Sequence, residues 1–211
     1  VVCNPRMYRF LIPLCLFSAL PQVRAEEAAV AVEPSATTWI WKSPASSKGE
    51  RVFFRREFQL PPDVASAAVT VVCDDSHRVY VNGHEMGKGN GWQNPRTYDV
   101  LAELKLGSRN VIAVEGLNDE GLAGMALRFS ATLKSGKKLQ VVTDANWLCS
   151  SEAPDGWQNM DFPSASWTKA AVIAKMGEPP WGVVMQPEAA EPGTSVDKAS
   201  ADQPALGAKK E

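Results

Sequence analysis

AGMALRFSATL, Ala123 to Leu133, decides the fold class. Met125, Leu127, Phe129, Ala131 and Leu133 alternate with Ala126, Arg128, Ser130 and Thr132, a period of two that sends each set to its own face of an extended chain. An apolar face turned inward and a polar face turned to water describe a half-buried antiparallel strand. Similar runs are TTWIW (Thr37 to Trp41), RVFFRREFQL (Arg51 to Leu60), AAVTVVC (Ala67 to Cys73), RVYVN (Arg78 to Asn82), NVIAVEGLN (Asn110 to Asn118), KLQVVTD (Lys138 to Asp144) and AAVIA (Ala170 to Ala174). Between them lie turn-forming connectors: LPPD (Leu60 to Asp63), Asn82-Gly83, LKLGSRN (Leu104 to Asn110) and KSGKK (Lys134 to Lys138). Only YDVLAELKL (Tyr98 to Leu106) has room for a turn or two of helix. Short strands at regular spacing, joined by Gly- and Pro-bearing turns, predict an all-β fold: a two-sheet antiparallel β-sandwich. Periodicity leaves its strand order, up-and-down or jelly roll, open.

The chain has 211 residues and a formal net charge of -2, which suits one domain and gives no basic footprint for nucleic acid. At its start, Arg6 and Arg9 precede the apolar run FLIPLCLFSAL (Phe10 to Leu20), followed by PQVRA. Val23 and Ala25 stand where a signal peptidase requires small residues, so cleavage is expected after Ala25. The run is short for a membrane span and Pro13 interrupts it; the rival reading, a buried helix, lacks a helical partner in the strand-like sequence that follows. The expected organisation is a signal peptide over 1–25, a linker over 26–36, the sandwich over 37–185 and a disordered tail over 186–211. That tail is rich in Ala, Glu, Pro, Lys, Ser and Asp and carries no aromatic residue. The expected location is secreted or periplasmic, at the cell envelope, with no membrane span once the signal is removed. Cys3 and Cys15 leave with the signal, and Cys73 and Cys149 remain. A disulfide between them and a pair of buried thiols both fit an exported chain.

CDDSHRVYVNGHEMG, Cys73 to Gly87, holds the residues most suggestive of chemistry. Asn82-Gly83 after an alternating strand matches a two-residue type I′ hairpin turn, since both residues tolerate positive φ. Asp74 and Asp75 precede that strand, where aspartates commonly bond the backbone of their own loop. A glycosidase pair must flank a scissile bond at about 5 to 10 Å, and neighbours on a strand point to opposite faces, which disfavours catalysis. Ligand or calcium contact is the third reading of the pair. His77 and His84 have no zinc spacing or third ligand nearby and read as solvated hairpin residues.

Six segments in order carry a family resemblance: WIWKSP (Trp39 to Pro44), VFFRREFQLP (Val52 to Pro61), CDDSHRVYVNGHEMGKG (Cys73 to Gly89), YDVLAELKLGSRNVIAVEGLNDEGLAGMAL (Tyr98 to Leu127), TDANW (Thr143 to Trp147) and WTKAAVIAKMGEPPWG (Trp167 to Gly182). The set resembles the galactose-binding-like jelly-roll domain found beside the catalytic domains of α-L-rhamnosidases and family 2 glycoside hydrolases. The resemblance implies a jelly roll that binds sugar and does not catalyse, the catalytic residues of those enzymes lying in a separate barrel for which these residues leave no room. The expectation is therefore a non-catalytic carbohydrate- or glycan-binding module. Its rivals are a structural or protein-interaction sandwich, and a glycoside hydrolase accessory protein with residual catalysis.

Sugar recognition asks for an aromatic face and a few oriented polar groups. NGWQNPR (Asn90 to Arg96) offers Trp92 with Gln93, Asn94 and Arg96, against the plainer reading that Trp92 caps the core. NDEG (Asn118 to Gly121) offers Asn118, Asp119 and Glu120, which suit a sugar, a calcium ion or simply water. APDGWQNMDF (Ala153 to Phe162) repeats the Trp-Gln-Asn triplet and leaves Trp157 as an exposed candidate. Trp39, Trp41, Trp147, Trp167 and Trp181 are assigned to packing. The expected ligand residues are thus Trp92, Arg96, Asn118 and Asp119, with no catalytic residue and no cofactor beyond an optional structural calcium. The expected partner is a glycan, within a larger envelope or enzyme assembly. Intact-mass analysis of the mature protein should find Glu26 at its N-terminus; a mature species beginning at Val1 or Met7 would refute the signal assignment.

Overall fold

The computed structural model describes residues 36–186; the signal, most of the linker and all but the first residue of the tail lie outside them. Among the described residues twelve strands form two antiparallel sheets. They are β1 (Thr38–Trp41), β2 (Glu50–Gln59), β3 (Val64–Asp74), β4 (Ser76–Val81), β5 (His84–Asn90), β6 (Arg96–Asp99), β7 (Arg109–Asn118), β8 (Gly124–Leu133), β9 (Lys138–Val142), β10 (Leu148–Ser150), β11 (Thr168–Lys169) and β12 (Ala171–Lys175). The first sheet runs β12-β1-β8-β3-β6, with β9 also on β8; the second runs β11-β10-β2-β7-β4-β5. The chain passes repeatedly from one sheet to the other, β1 to β2 to β3 to β4, which is the jelly-roll sandwich.

Alternation does the work expected of it. Met125, Leu127 and Phe129 of β8 and Val69 and Val71 of β3 are fully buried between the sheets, facing Val52, Phe54, Val79, Val81, Ile112 and Val114 of the second sheet. Burial of this apolar area contributes on the order of 1.5–3 kcal/mol per large side chain. Val72 and Ala126 point the other way and are buried too, because Trp39, Trp181 and Met185 cover the outer face of the first sheet. The Trp39 and Trp181 rings stack with centroids 4.4 Å apart. On the second sheet the 153–167 segment folds over Phe53, Tyr80 and Ala113, bringing Trp157 and Trp167 against them. Arg55, buried beneath this segment, donates to the carbonyls of Trp157 and Asn159. Trp157 is therefore a packing residue, not the exposed platform its loop sequence suggested.

Cys73 and Cys149 are both buried free thiols, so the disulfide alternative falls. Cys73 sits on β3 of one sheet and Cys149 on β10 of the other; each fills core space as a small apolar group, and burial raises both thiol pKa values. Where a turn or two of helix was expected, the chain forms strand β6 and a single 3-10 turn, Leu101–Glu103.

Asn82 (φ 49°) and Gly83 (φ 92°) turn the β4–β5 hairpin as expected. Asn82 also ties the hairpin to the far end of β7: its amide donates to the Glu103 carbonyl (2.7 Å) and accepts from the Val111 N–H (2.9 Å). Gly83→Val should cost about 2 kcal/mol or more, since a β-branched residue resists positive φ and its Cβ would meet the Asn159 side chain. Unchanged thermal stability would contradict the assignment.

His77 corrects the expectation of a solvated hairpin histidine. It shares the inner face of β4 with Val79 and Val81, is 5% exposed, and neither ring nitrogen has a hydrogen-bond partner. Burial, with a smaller contribution from the Arg96 charge, lowers its pKa to about 4. The folded chain thus keeps a neutral imidazole where the unfolded chain takes up a proton. This contribution to stability should be intact above pH 6.5 and lost as pH falls toward about 4. Urea denaturation should show the difference between parent and His77→Leu shifting by on the order of 3 kcal/mol across that window; a pH-independent difference would refute it.

Candidate functional site

The Asp74-Asp75 pair belongs to the scaffold. The Asp74 carboxylate accepts the Trp181 indole N–H at 2.8 Å, and burial raises its pKa against the opposing effect of that hydrogen bond. Asp75 lies against it, its charge and side-chain contact raising the Asp74 pKa further, but its own hydrogen bonds go to other partners. Its N–H donates to the Leu117 carbonyl (2.8 Å) and its carbonyl accepts from Gly91 N–H (2.6 Å). Its carboxylate accepts from the N–H groups of Asp119 (2.7 Å) and Glu120 (3.4 Å). The two carboxylates are committed to different partners and do not converge on a reacting bond.

Beside this corner the outer face of the second sheet opens into a cavity of about 510 Å³, within the usual size range of small-ligand sites. Strand register builds it. Arg51, Leu117, Ser76 and Asn90 are cross-strand partners on β2, β7, β4 and β5, and Glu115, Arg78 and Lys88 form the adjacent row. Phe53 stands at the β2 end of that second row, and Ala113 and Tyr80 come two residues further along β7 and β4, all three already covered by the Trp157 cluster. The cavity is the part of this face that the 153–167 segment leaves open. Glu115 pairs with Arg51, and Arg78 reaches Glu85 at 3.4 Å. Lys88 and Arg96 are exposed and have no carboxylate partner among the described residues.

Arg96 arrives from the other sheet. It opens β6, which lies over β5, and Tyr98 of the same strand donates to the Lys88 carbonyl at 3.2 Å. The approach is close: a Cβ at Gly89 would stand 2.6 Å from the His77 ring and 2.9 Å from Arg96 Cγ. Glycine at 89 therefore lets His77 and the Arg96 stem pack against the β5 backbone while the cation remains at the cavity.

Of the four residues expected at the site, Arg96 lines the cavity. Trp92 is partly buried against the Trp39, Val72, Ala126, Trp181 and Met185 cluster, on the first sheet's outer face. Asn118 is fully buried, its amide donating to the Ser47 carbonyl at 2.9 Å, and its Oδ1 is buried without a partner. Asp119 is exposed in the loop that follows Leu117, a cavity residue. The four do not converge. Not singled out from the sequence were Arg51, Ser76, Arg78, Lys88, Asn90 and Glu115; outward positions on alternating strands were the available signal for Arg51, Arg78 and Glu115, and β5 gave none for Lys88 and Asn90. His84 is exposed, 3.4 Å from Glu103. No three His, Cys, Asp or Glu side chains among the described residues are grouped to hold a metal ion, and the Asp75 carboxylate is occupied by backbone N–H groups.

No family model matches the chain. The α-L-rhamnosidase of Streptomyces avermitilis is 34% identical over 160 residues, which cover 70% of this chain and 15% of the rhamnosidase. The crystal structure of Streptomyces avermitilis α-L-rhamnosidase complexed with L-rhamnose superposes with a TM-score of 0.66 at 31% identity, again over 70% of this chain and 15% of the other. A lectin from Pleurotus ostreatus, solved in complex with GalNAc, superposes with a TM-score of 0.63 at 29% identity, over 73% of this chain and 46% of the lectin. The chain thus spans a small part of the rhamnosidase it matches. Sequence similarity and superposition agree: the described residues form a β-sandwich similar to the galactose-binding-like domains of α-L-rhamnosidases.

Proposed function

We propose that this chain is an exported carbohydrate-binding module whose sugar occupies the cavity on the outer face of the second sheet. The observation that carries the reading is that cavity, a preformed concavity with hydrogen-bonding side chains on rigid strands, in a chain similar to a lectin solved with GalNAc. Ser76, Asn90, Arg78 and Arg96 are placed to bond hydroxyls, with Leu117 beneath them. In this reading Asp119 stands at the rim, while Trp92 and Asn118 support the loops from within.

The same geometry supports a binding role over catalysis. Glycosidic cleavage by the common mechanisms needs two carboxyl groups about 5 to 10 Å apart across the bond. The cavity lining contains one, Glu115, and it is paired with Arg51. The part of the rhamnosidase that this chain matches is likewise a small fraction of that enzyme.

Screening the full chain on a glycan array, followed by calorimetry on the hits, tests the reading. Arg96→Ala should weaken binding at least tenfold, the loss of one charge-assisted hydrogen bond being about 1.5–3 kcal/mol, and leave the melting temperature within a few degrees. Trp92→Ala should instead lower the melting temperature, through its packing on Trp39 and Trp181. Repeating the titration in a chelator asks whether calcium contributes beside the unpaired Asn118 Oδ1. Absence of any glycan hit would refute the function, and retained affinity in Arg96→Ala would move the site. Aryl glycosides should not be turned over; turnover abolished by Glu115→Gln would make the cavity catalytic.

A further inference from the structure

We infer that the cavity selects an acidic saccharide, one that carries a uronate carboxylate. This rests on the reading that the cavity binds sugar, and it names the class of sugar.

Four cations line the cavity, Arg51, Arg78, Lys88 and Arg96, against one carboxylate, Glu115. The chain as a whole is slightly acidic, at -2, so the cluster does not follow from a basic composition. Two of the four are answered, Arg51 by Glu115 and Arg78 by Glu85 just outside the lining. Lys88 and Arg96 are not. His77, also in the lining, is held neutral by burial and adds no charge of its own.

Strand pairing sharpens the point. Arg78 and Lys88 are direct partners in the β4–β5 register, and like charges opposite one another on antiparallel strands are destabilising. Glu115 faces Arg78 from β7 and Glu85 pairs with it, which offsets that side of the row, but nothing among the described residues answers Lys88; a local rule broken in this way suits a functional surface. An anionic ligand would supply the missing compensation, with the planar guanidinium of Arg96 able to take a carboxylate through two parallel hydrogen bonds.

The lining also lacks what a neutral-sugar site relies on. It contains no Phe, Tyr or Trp, its one ring being the buried imidazole of His77, and Leu117 is its only large apolar residue. The aromatic residues of this face, Phe53 and Tyr80, are covered by Trp157. With no exposed Trp, Tyr or Phe to stack on the apolar side of a pyranose, discrimination falls to charge.

Calorimetric titration of the full chain with oligogalacturonate, with the same oligomer after reduction of its carboxyl groups, and with a sulfated oligosaccharide of equal length tests the inference. The uronate should bind at least tenfold more tightly than its reduced form, and rising salt should weaken it. Lys88→Gln and Arg96→Gln should each lose about tenfold at unchanged melting temperature, whereas Lys137→Gln, on the β8–β9 turn, should change nothing. Equal binding of the uronate and its reduced form overturns the acidic-sugar inference but leaves the sugar-binding function standing. Tighter binding of the sulfated oligomer overturns the carboxylate assignment. Uronate binding that survives both Lys88→Gln and Arg96→Gln removes it from this cavity. Failure of every saccharide to bind refutes the function itself.

Discussion

Asp75 is the point on which the cavity end of the sandwich depends. Its backbone and carboxylate together join the start of β4, the end of β7, the loop after β5 and the loop after β7. Each of those segments would otherwise end in unpaired N–H or C=O groups, and a buried backbone group without a partner costs free energy comparable to a lost hydrogen bond. One short side chain meets two successive N–H groups, those of Asp119 and Glu120, at the surface of the corner. Asp74, its neighbour, anchors to Trp181 and so ties the corner to the aromatic layer on the opposite sheet's outer face. The pair that looked most like chemistry in the sequence is the brace that holds the loops in place.

The second constraint is where β6 closes the edge of the sandwich. Tyr98 and Arg96 lie two residues apart on β6 and pack over Gly87 and Gly89, two residues apart on β5. Side chains at those glycines would hold the strands apart. Their absence brings a residue of the first sheet into the lining of a cavity on the second, a contact that no single-strand pattern reveals.

This explains which parts of the molecule were legible beforehand. β8, β7 and β2 are long, alternating and rich in branched or aromatic residues, and their inward positions could be read directly. The Asn82-Gly83 turn was equally plain, since few dipeptides take two positive φ angles. β5, with the sequence HEMGKGN, has neither apolar alternation nor β-branched residues; it is a strand because β4 pairs with it, and tertiary context overrides its propensity. His77 was misjudged for a related reason: one position from the polar corner, it nevertheless shares the phase of Val79 and Val81, and phase decided its burial. Trp157 was misread because a Gly- and Pro-flanked loop is usually exposed, whereas this one is drawn down by Arg55. The cavity depends on register among four strands distant in sequence, so only Arg96 of its lining could be singled out, and for a different reason.

The outer face of the second sheet is divided along its strands, and the division is itself informative. At one end Phe53, Tyr80 and Ala113 gain an aromatic cover and contribute to stability. Two residues on, the same strands present Arg51, Arg78 and Glu115 to an open concavity. Had the cover extended that far, these charges would have been desolvated, which is costly unless each is paired; Lys88 and Arg96 are not. The segment therefore stops where the charged rows begin. A site built on strands this way has its side chains held by the ladder itself, so little ordering entropy is lost when a ligand arrives. The aromatic cover and, in the proposed reading, the recognition surface thus fall on adjacent stretches of β2, β4 and β7, separated by two residues along each strand.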